Sequence, residues 1–517
     1  MTPSHVKITI NGIQTADFLI LLDLSVENQL NRHSTCRFAM RQPPSSRYFY
    51  EPDLGKDLVI HAIDGAGAEL ELFNGLLRRV DAEWEMNGSC VLHFEGISRS
   101  YTTDTLNDSR TWNRKTLDQI FHAMLSDQAG DFVGPGGSLG ALIQYDETDW
   151  SFLHRLADRH GCFLRQKGRR VDLYSEFQPG NVELRWSTEF GLQSFRTTGQ
   201  IRPTLFFGVN YDRQDATSDQ TDMLIYDVGA TDALPELRSY AKTNSEDAGL
   251  MSALWEKFLS GTHAKFVEDM QNEAARQIIH TCTARGESRV PEITAGEMVR
   301  ISGLDDIKGE YGVFRVVHRW QPARGYHNEF WCTPYKYYLD PLQPKRTRFY
   351  GPLVARVAQT SHADARMAYI RVNFLWERQN DSGWMPVLTP NAGAGRGFCF
   401  VPEVGDEVLV FFRGGDSCKP IVLGSQWNGV DLPPLEDLHG GEYENNDIKR
   451  IVTKSGNRLV FDDKQGSETM VMATPEHIRI TMLEGDQTLL IHSDGDINIH
   501  AGGTVHIKCN QFLREVG

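Results

Sequence analysis

A chain of 517 residues is long enough for roughly three or four domains of about 100–200 residues each. Apolar residues make up 40% and charged residues 24%, a balance typical of a folded protein and not of a disordered one. The net charge of −16 disfavours nucleic acid and anionic lipid as partners, because an acidic surface repels phosphate.

Cysteine spacing and the N-terminus argue against two further classes. The eight cysteines are irregularly spaced and form no C-x-x-C pair, which disfavours a zinc ribbon or a dense disulfide framework. The first residues, Met1–Lys7, lack the basic and apolar regions of a signal peptide. We therefore expect assembly in a reducing cytoplasm, and secretion without a signal peptide.

Residues 1–340 predict a β-rich domain with helical insertions. Val6, Ile8 and Ile10 alternate with polar residues, as in a half-buried strand. Thr116 is placed to cap a first helix, and a second ends near Gly161. The apolar positions of the two helices have helical spacing: Leu117, Ile120, Phe121, Met124 and Leu125, then Trp150, Phe152, Leu153, Leu156 and Ala157.

The second half of this region mixes helix, loop and strand signals. Residues 250–279 have the apolar spacing of one long helix, with Leu254 and Phe258 on its apolar positions. The polar segment 212–222 predicts a loop. Strands are predicted around 298–301 and 311–317, and the prolines within 339–345 indicate a domain boundary.

The next two segments differ sharply in composition. Residues 351–429 predict an almost purely β domain with about five short strands. Residues 430–447 are rich in Pro, Gly, Asp, Glu and Asn, which is typical of a linker.

The last segment, 448–517, has a repeating pattern of eight residues. Ile497 and Ile499 recur eight residues later as Val505 and Ile507, each pair separated by one polar residue. Very short strands with regular turns predict a β-helix or prism. Such strands cannot bury their apolar row in one chain, so we predict an intertwined homotrimer. The predicted axial core consists of Ile478, Ile480, Ile497, Ile499, Val505 and Ile507.

The β domain at 351–429 resembles the OB-fold domain of VgrG-type spike proteins of type VI secretion. The resemblance is carried, in order, by the segments 351–357, 371–376, 382–387, 402–412, 414–416 and 420–428. Residues 1–340 are similar to the hub proteins of contractile-tailed phages, with the best matches at 73–75, 145–164 and 311–318. The octads resemble the β-helix of the phage needle.

This resemblance implies a trimeric spike and not an enzyme. The hub, with two barrel-like modules, would dock on an Hcp-like tube, and baseplate proteins would surround it. A PAAR-type protein would cover the tip near Gln511, Phe512 and Leu513, effectors would travel on the spike, and membrane contact would be transient. The resemblance also places Val404, Val408, Val410 and Phe412 in the OB core. The segment 430–447 is too short for the lysozyme domain that the phage needle has there.

Several motifs suggest chemistry, and in each case a structural role is favoured. Residues 136–140 match G-x-S-x-G, but a loop precedes Ser138 where a nucleophile elbow needs a strand. His439–Gly441 resembles an oxyanion loop but lies in the linker. The histidines and acidic residues of the last segment follow no metal-binding pattern: His492, His500, His506, Asp462, Asp463, Asp494 and Asp496. We expect neither metal nor cofactor.

Three alternatives stay open at this point. The chain could be the hub and spike of a phage-derived extracellular injection particle, or a spike-associated cell-wall hydrolase. Its OB domain could also bind oligosaccharide or nucleic acid, although the acidic charge disfavours nucleic acid.

Overall fold

A computed structural model gives the architecture of the chain. It describes residues 3–17, 19–42, 53–186, 191–212, 217–224, 228–255, 263–344, 349–360, 368–377, 382–416, 419–434 and 446–513. The chain forms two compact units, Met1–Ser425 and Gln426–Gly517. Among the helices of these residues, none has the length and apolar character needed to cross a bilayer.

The first 340 residues of the first unit are built mainly from strands. Within the described residues these are β1 (Pro3–Ile10), β2 (Ile13–Gln14), β3 (Ile20–Gln29), β4 (Thr35–Gln42), β5 (Asp57–Asp64), β6 (Glu69–Trp84), β7 (Cys90–Ser98), β8 (Asn107–Asn113), β9 (Ala129–Val133), β10 (Ala141–Thr148), β11 (Phe163–Lys167), β12 (Arg170–Tyr174), β13 (Gln178–Arg185), β14 (Leu192–Gly199), β15 (Leu205–Asp212), β16 (Thr217–Leu224), β17 (Met251–Trp255), β18 (Cys282–Ser288), β19 (Glu297–Ser302), β20 (Gly309–Gln321) and β21 (Gly325–Thr333). The helices are α1 (Leu117–Leu125), α2 (Asp149–Arg159), α3 (Pro235–Asp247) and α4 (His263–Ile279).

One large sheet carries two separate apolar cores. Its main path is β14-β18-β21-β20-β3-β4-β7-β6-β5-β1-β2, with β13 and β19 attached beside β20. The strands from β1 to β7 enclose one core, which includes Phe38 and Phe94. The strands from β13 to β21 enclose another, which includes Tyr311 and Phe330. The two halves are joined where β3 pairs with β20. The fold is therefore mainly β, with barrel-like modules as predicted.

Both predicted short helices are confirmed. The Thr116 hydroxyl accepts a hydrogen bond from the Gln119 backbone at 3.1 Å, and the Gln119 side chain accepts one from the Thr116 backbone at 3.2 Å. This reciprocal cap fixes the start of α1. The helix α2 ends before Gly161, whose φ of +68° suits a residue without Cβ.

Two sequence predictions were wrong in residues 1–340, which we call the hub after the resemblance described above. Residues 251–255 form the strand β17, parallel to β15, and the helix begins only at His263. A short apolar run fits a strand or a helix equally well, and pairing with β15 decides the outcome. Phe258 lies outside the described residues. Residues 217–224 are the edge strand β16 and not a loop, since backbone bonds to β15 suffice at an edge.

A buried charge cluster fastens the end of the hub to its helices. The Arg276 guanidinium donates to the Asp158 carboxylate at 2.8 Å and to the Glu273 carboxylate at 3.2 Å. It also donates to the backbone carbonyl of Asp340 at 2.6 Å. All four residues are at least nine-tenths buried. Removing one partner of such a cluster leaves a buried charge uncompensated, so α2, α4 and the segment at 340 are held together.

Residues 353–425 form a small closed barrel. Its strands, within the described residues, are β22 (Leu353–Thr360), β23 (Tyr369–Phe374), β24 (Met385–Pro386), β25 (Ala392–Gly393), β26 (Arg396–Gly397), β27 (Glu407–Phe412) and β28 (Pro420–Ser425). Five of them run in the order β24-β23-β22-β27-β28. A bridge between Val387 and Val422 joins the two ends, which closes the sheet. This closure removes the open edges.

The barrel core alternates along β27 and includes three of the four residues that the resemblance places there. Val408, Val410 and Phe412 are fully buried, as predicted. Val404 was predicted to join them, which is wrong, since its side chain is 62% exposed. The reason is local: Val404 lies in the turn that Gly405 makes at φ +99°, before the strand alternation begins.

Aromatic stacking gives the hub and the barrel a shared core. The Phe349 ring lies 3.8 Å from the Phe412 ring of the barrel and 4.4 Å from the Tyr145 ring of β10, centroid to centroid. Ile143, also on β10, is buried in the same cluster. The hub strand β10 therefore supplies part of the barrel core.

The second unit contains one antiparallel meander within its described residues. Its strands are β29 (Ile448–Val452), β30 (Arg458–Asp462), β31 (Thr469–Ala473), β32 (Ile478–Leu483) and β33 (Thr488–Ser493). Each strand pairs with the next along the chain. Residues 494–513 have no assigned strand in the single chain. The predicted boundaries of the four segments 1–340, 351–429, 430–447 and 448–517 stay a prediction.

Truncating Phe412 should destabilise the barrel. We expect Phe412→Ala to lower the free energy of unfolding by about 3–5 kcal/mol, because it opens a cavity in a stacked core. Phe400→Ala is the matched control, since the Phe400 side chain is 62% exposed. Chemical denaturation of both variants measures the difference, and equal losses would contradict the burial assignment.

Acid should destabilise the hub through His318. Burial lowers the pKa of His318 from 6.5 to about 4. Between these pH values His318 is protonated in the unfolded chain but stays neutral in the folded hub. The free energy of unfolding therefore falls by roughly 3 kcal/mol as the pH drops from about 6.5 to 4. Denaturant unfolding across this range should show the slope. The slope should shrink in His318→Asn and persist in His500→Asn, whose ring is exposed. An unchanged slope in His318→Asn would contradict the prediction.

Candidate assembly surface

One face of the meander in the second unit is almost entirely apolar. Residues paired across antiparallel strands share a face, so the register defines two rows. The first row is Ile451, Leu459, Met472, Ile480 and Ile491, and the second is Lys449, Phe461, Met470, Met482 and Leu489. Ile478 lies on the same face, beside the first row. We call this set of residues the apolar face.

The apolar face is open to solvent in the single chain. Met472 is 52% exposed, Leu489 is 58% exposed and Ile491 is 56% exposed. Scattered exposed apolar residues are ordinary, but a contiguous sheet face of this kind marks an interaction surface. The face contains two recesses, of about 370 and 560 Å³. Ile451 and Met472 help line the first recess, and Phe461 helps line the second.

The opposite face of the meander is different in kind. Val471 and Thr481 are buried there, with 8% and 6% of their surface exposed. Arg450 lies on this face and donates to the backbone carbonyl of Pro434 at 3.0 Å, so the chain before the meander contacts it. The described chain thus contacts this opposite face and leaves the apolar face exposed.

The octads after the meander are exposed as well. Ile499 is 70% exposed and Ile507 is 67% exposed. Of the predicted axial core, Ile497, Val505 and Ile478 are also at least half exposed, and Ile480 is partly exposed. The structure brings Ile478 and Ile480 onto the apolar face and leaves the octads without strand partners in the described chain. Their inward orientation in a trimer stays a prediction. The predicted tip residues Gln511, Phe512 and Leu513 are exposed.

Two histidines converge on one carboxylate near the end of the meander. The Asp494 carboxylate lies 2.8 Å from His477 Nδ1 and 3.0 Å from His492 Nε2. Hydrogen bonds from these two rings lower the pKa of Asp494. The sequence indicated His492 and Asp494 but missed His477, which lies 17 positions before Asp494. In the part of the chain that the structure describes, no three His, Cys, Asp or Glu side chains are grouped to hold a metal ion.

The G-x-S-x-G match is a loop, as predicted. Residues 134–140 contain no helix, and the strand β10 follows directly. Ser138 makes an isolated bridge with Thr116, so its backbone closes a loop beside α1. A nucleophile elbow needs a strand before the serine and a helix after it. The second motif, His439–Gly441, lies outside the described residues.

Comparison with known families identifies the family to which this chain belongs. A sequence model of the phage tail baseplate hub (GPD) matches residues 49–323, more than half of the chain. The chain belongs to the phage tail baseplate hub family. A second model, the type VI secretion system/phage-baseplate injector OB domain, matches residues 353–427, which is the closed barrel. The predicted resemblance to VgrG-type spike proteins is confirmed.

VgrG proteins are among the curated relatives of this family member. Actin cross-linking toxin VgrG1 of Vibrio cholerae is 22% identical over 464 residues, covering 80% of this chain and 41% of that protein. Type VI secretion system spike protein VgrG1a of Pseudomonas aeruginosa is 25% identical over 418 residues, covering 72% and 62%. The chain thus spans about half the length of the curated relatives that it matches.

Solved structures share the fold. An Escherichia coli component of the type VI secretion system, described as similar to the T4 bacteriophage tail proteins gp27 and gp5, aligns over 81% of this chain and 99% of its own, with a TM-score of 0.56 and 14% identity. The lidless PdpA–VgrG complex contains a chain that aligns over 95% of this chain and 99% of its own, with a TM-score of 0.61 and 10% identity. At these identities the likeness concerns the fold.

Proposed function

We propose that this chain is the hub and spike subunit of a contractile injection machine and works as a homotrimer. The observation that carries the proposal is the apolar face of the second unit, which the single chain leaves exposed beside equally exposed octads. Membership of the phage tail baseplate hub family supports the hub role of residues 1–340. Residues 351–429 would form a collar, and residues 430–447 would link it to the spike, 448–517.

A three-fold arrangement gives the apolar face a cover. Three copies can direct their apolar faces to a common axis, where each contacts the other two. The octads would continue this axis with Ile497, Ile499, Val505 and Ile507 inward, while His500 and His506 face water. Strand pairing between subunits would satisfy the backbone groups of 494–513. A rod with a dry aliphatic interior is stiff, because close-packed side chains resist compression.

The partners follow from this role. The hub end would join an Hcp-like tube within a baseplate, and a PAAR-type protein would sit on the tip near Gln511, Phe512 and Leu513. Effectors would ride on the spike, and a solved complex of a VgrG with PdpA supports such association. Assembly would occur in the bacterial cytoplasm, with injection through the machine itself and only transient contact with the target membrane.

The proposed role is mechanical, and no reaction is assigned to this chain. Sheath contraction would supply the work, and the spike would transmit it. One relative is named as an actin cross-linking toxin, and this chain covers 41% of that protein. A phage-derived extracellular particle would use the same trimer.

The oligomeric state tests the proposal. Light scattering after size exclusion should give three times the chain mass of 58.5 kDa. The reason is that a trimer buries the apolar face and the octads together. A well-folded monomer at micromolar concentration would contradict the proposed function.

A charge on the axis should prevent assembly. We expect Ile499→Asp to abolish the trimer, because three carboxylates would be buried around one axis without partners. Asn498→Asp is the matched control, since it adds the same charge one residue away, on the outward side. Analytical ultracentrifugation of both variants gives the result. Trimers of Ile499→Asp as stable as those of the control would show that Ile499 does not face the axis.

A further inference from the structure

A polar cavity lies where three parts of the hub meet. Its volume is about 350 Å³, within the range of about 300–1,000 Å³ that is usual for small-molecule sites. Its lining comes from β3, β6 and the loop after β3, from β19, β20 and the segment before β19, and from the hairpin of β11 and β12. Asn28 of β3 and His318 of β20 both line it, so it borders the seam at which these two strands pair. An occupant would therefore contact both barrel-like modules at once.

Two polar groups of this lining are buried without a hydrogen-bond partner in the described chain. They are the Ser34 hydroxyl and the Arg165 Nε, and each of these residues is 3% exposed. A buried donor without an acceptor costs free energy, because it has given up its hydrogen bonds to water. Both groups can donate, so both are matched by an occupant that brings acceptor oxygens.

An ion pair places a fixed acceptor beside one of these donors. Arg165 Nη2 donates to the Glu297 carboxylate at 2.6 Å, and both residues line the cavity. A Cβ at position 296 would lie 2.6 Å from Arg165 Cδ, so the backbone at Gly296 packs closely against the arginine side chain. The guanidinium is thus held in position before any ligand arrives, with a donor and a carboxylate side by side.

The charges of the lining favour a neutral occupant. Two cations, Arg165 and Lys167, stand against three carboxylates, Glu71, Glu292 and Glu297. Arg165 and Glu297 neutralise each other, and Glu71 and Lys167 are exposed, where water screens their charge. Neither sign of charge dominates the interior of the cavity, so the lining favours neither an anion nor a cation.

The rest of the lining combines apolar surface with an amide. Leu72, Phe73 and Ile293 are buried and supply the apolar part. Asn28 Nδ2 approaches the backbone carbonyl of Leu72 only at 3.5 Å, beyond the usual range of about 2.7–3.2 Å. A matching ligand has a C–H surface and several groups that both donate and accept. A hydroxyl does both with one oxygen, and a sugar carries hydroxyls around an apolar ring.

We propose that this cavity binds a neutral sugar of one or two rings. Ring hydroxyls would accept from Ser34 and Arg165 and donate to the Glu297 carboxylate, while ring C–H groups would lie against Leu72 and Ile293. Two sources carry this chemistry: a free monosaccharide, or the end unit of a longer glycan. The inference goes beyond the proposed function and does not depend on trimer formation.

Titration calorimetry on the full-length chain tests the site. The monosaccharide probes are glucose, galactose, mannose and N-acetylglucosamine, and the longer probes are maltotriose and triacetylchitotriose. We expect saturable binding of one sugar molecule per chain, with an affinity independent of salt because the ligand is uncharged. A trisaccharide that binds more tightly than its own monosaccharide identifies a glycan end as the source, and equal affinities identify a free sugar. No saturable binding of any of these sugars means that the cavity holds water only, which overturns the proposal.

Removing the unpartnered hydroxyl should separate binding from stability. Ser34→Ala should weaken sugar binding about fivefold through loss of one hydrogen bond. It should not lower the free energy of unfolding, since the Ser34 hydroxyl has no partner in the described chain. Thr111→Val is the matched control, because it also removes a buried unpartnered hydroxyl but lies outside the described lining. Equal sugar affinities of the two variants would contradict the assigned contact.

Filling the cavity locates the binding independently. Thr294→Trp introduces a large ring at a partly exposed position of the lining and should abolish sugar binding. The matched control is Thr283→Trp, a partly exposed position on β18 outside the described lining, which should bind like the parent chain. Circular dichroism confirms folding, and a folded Thr294→Trp variant with undiminished binding would refute the site.

Discussion

The constraint on which the second unit depends is that the described residues of the chain leave the apolar face of its meander exposed. A five-stranded sheet in water needs a cover for such a face, and the described chain contacts only the opposite one. For this reason the stability of the second unit and the proposed assembly depend on each other. The hub and the barrel enclose their cores within the chain, and the barrel core includes Ile143 of the hub strand β10.

Arginine side chains in the first unit have two kinds of hydrogen-bond partner. Where the fold needs rigidity, charges are paired within the interior, as Arg276 is with Asp158 and Glu273. Beside α3, by contrast, Arg202 and Arg238 bond only to neutral groups among the described residues. Charges that fasten segments together are thus paired with opposite charges, whereas Arg202 and Arg238 are oriented by amide and carbonyl oxygens.

Much of the fold could be predicted from local patterns. The capping residue Thr116 and the apolar spacing after it predicted α1, whereas the family resemblance predicted the barrel core at Val408, Val410 and Phe412. The failures were at β16, β17 and Val404, where pairing with a distant strand or a turn before the strand overrides local preference. Period-two patterning found Ile478 and Ile480. Met470 and Met472 were missed because apolar residues also occupy the positions between them, and only the register assigns each side chain to a face.

The stack of Tyr145, Phe349 and Phe412 has a mechanical consequence. A tether between two domains must be drawn taut before it passes on a force, and work is lost in the slack. Here the hub strand β10 packs into the core of the neighbouring barrel. Its Tyr145 ring is already in contact with Phe349, so no slack has to be removed before a force passes between the two domains. A force applied to the hub at this contact therefore passes directly to the barrel, through packed side chains with the low compressibility of a protein interior.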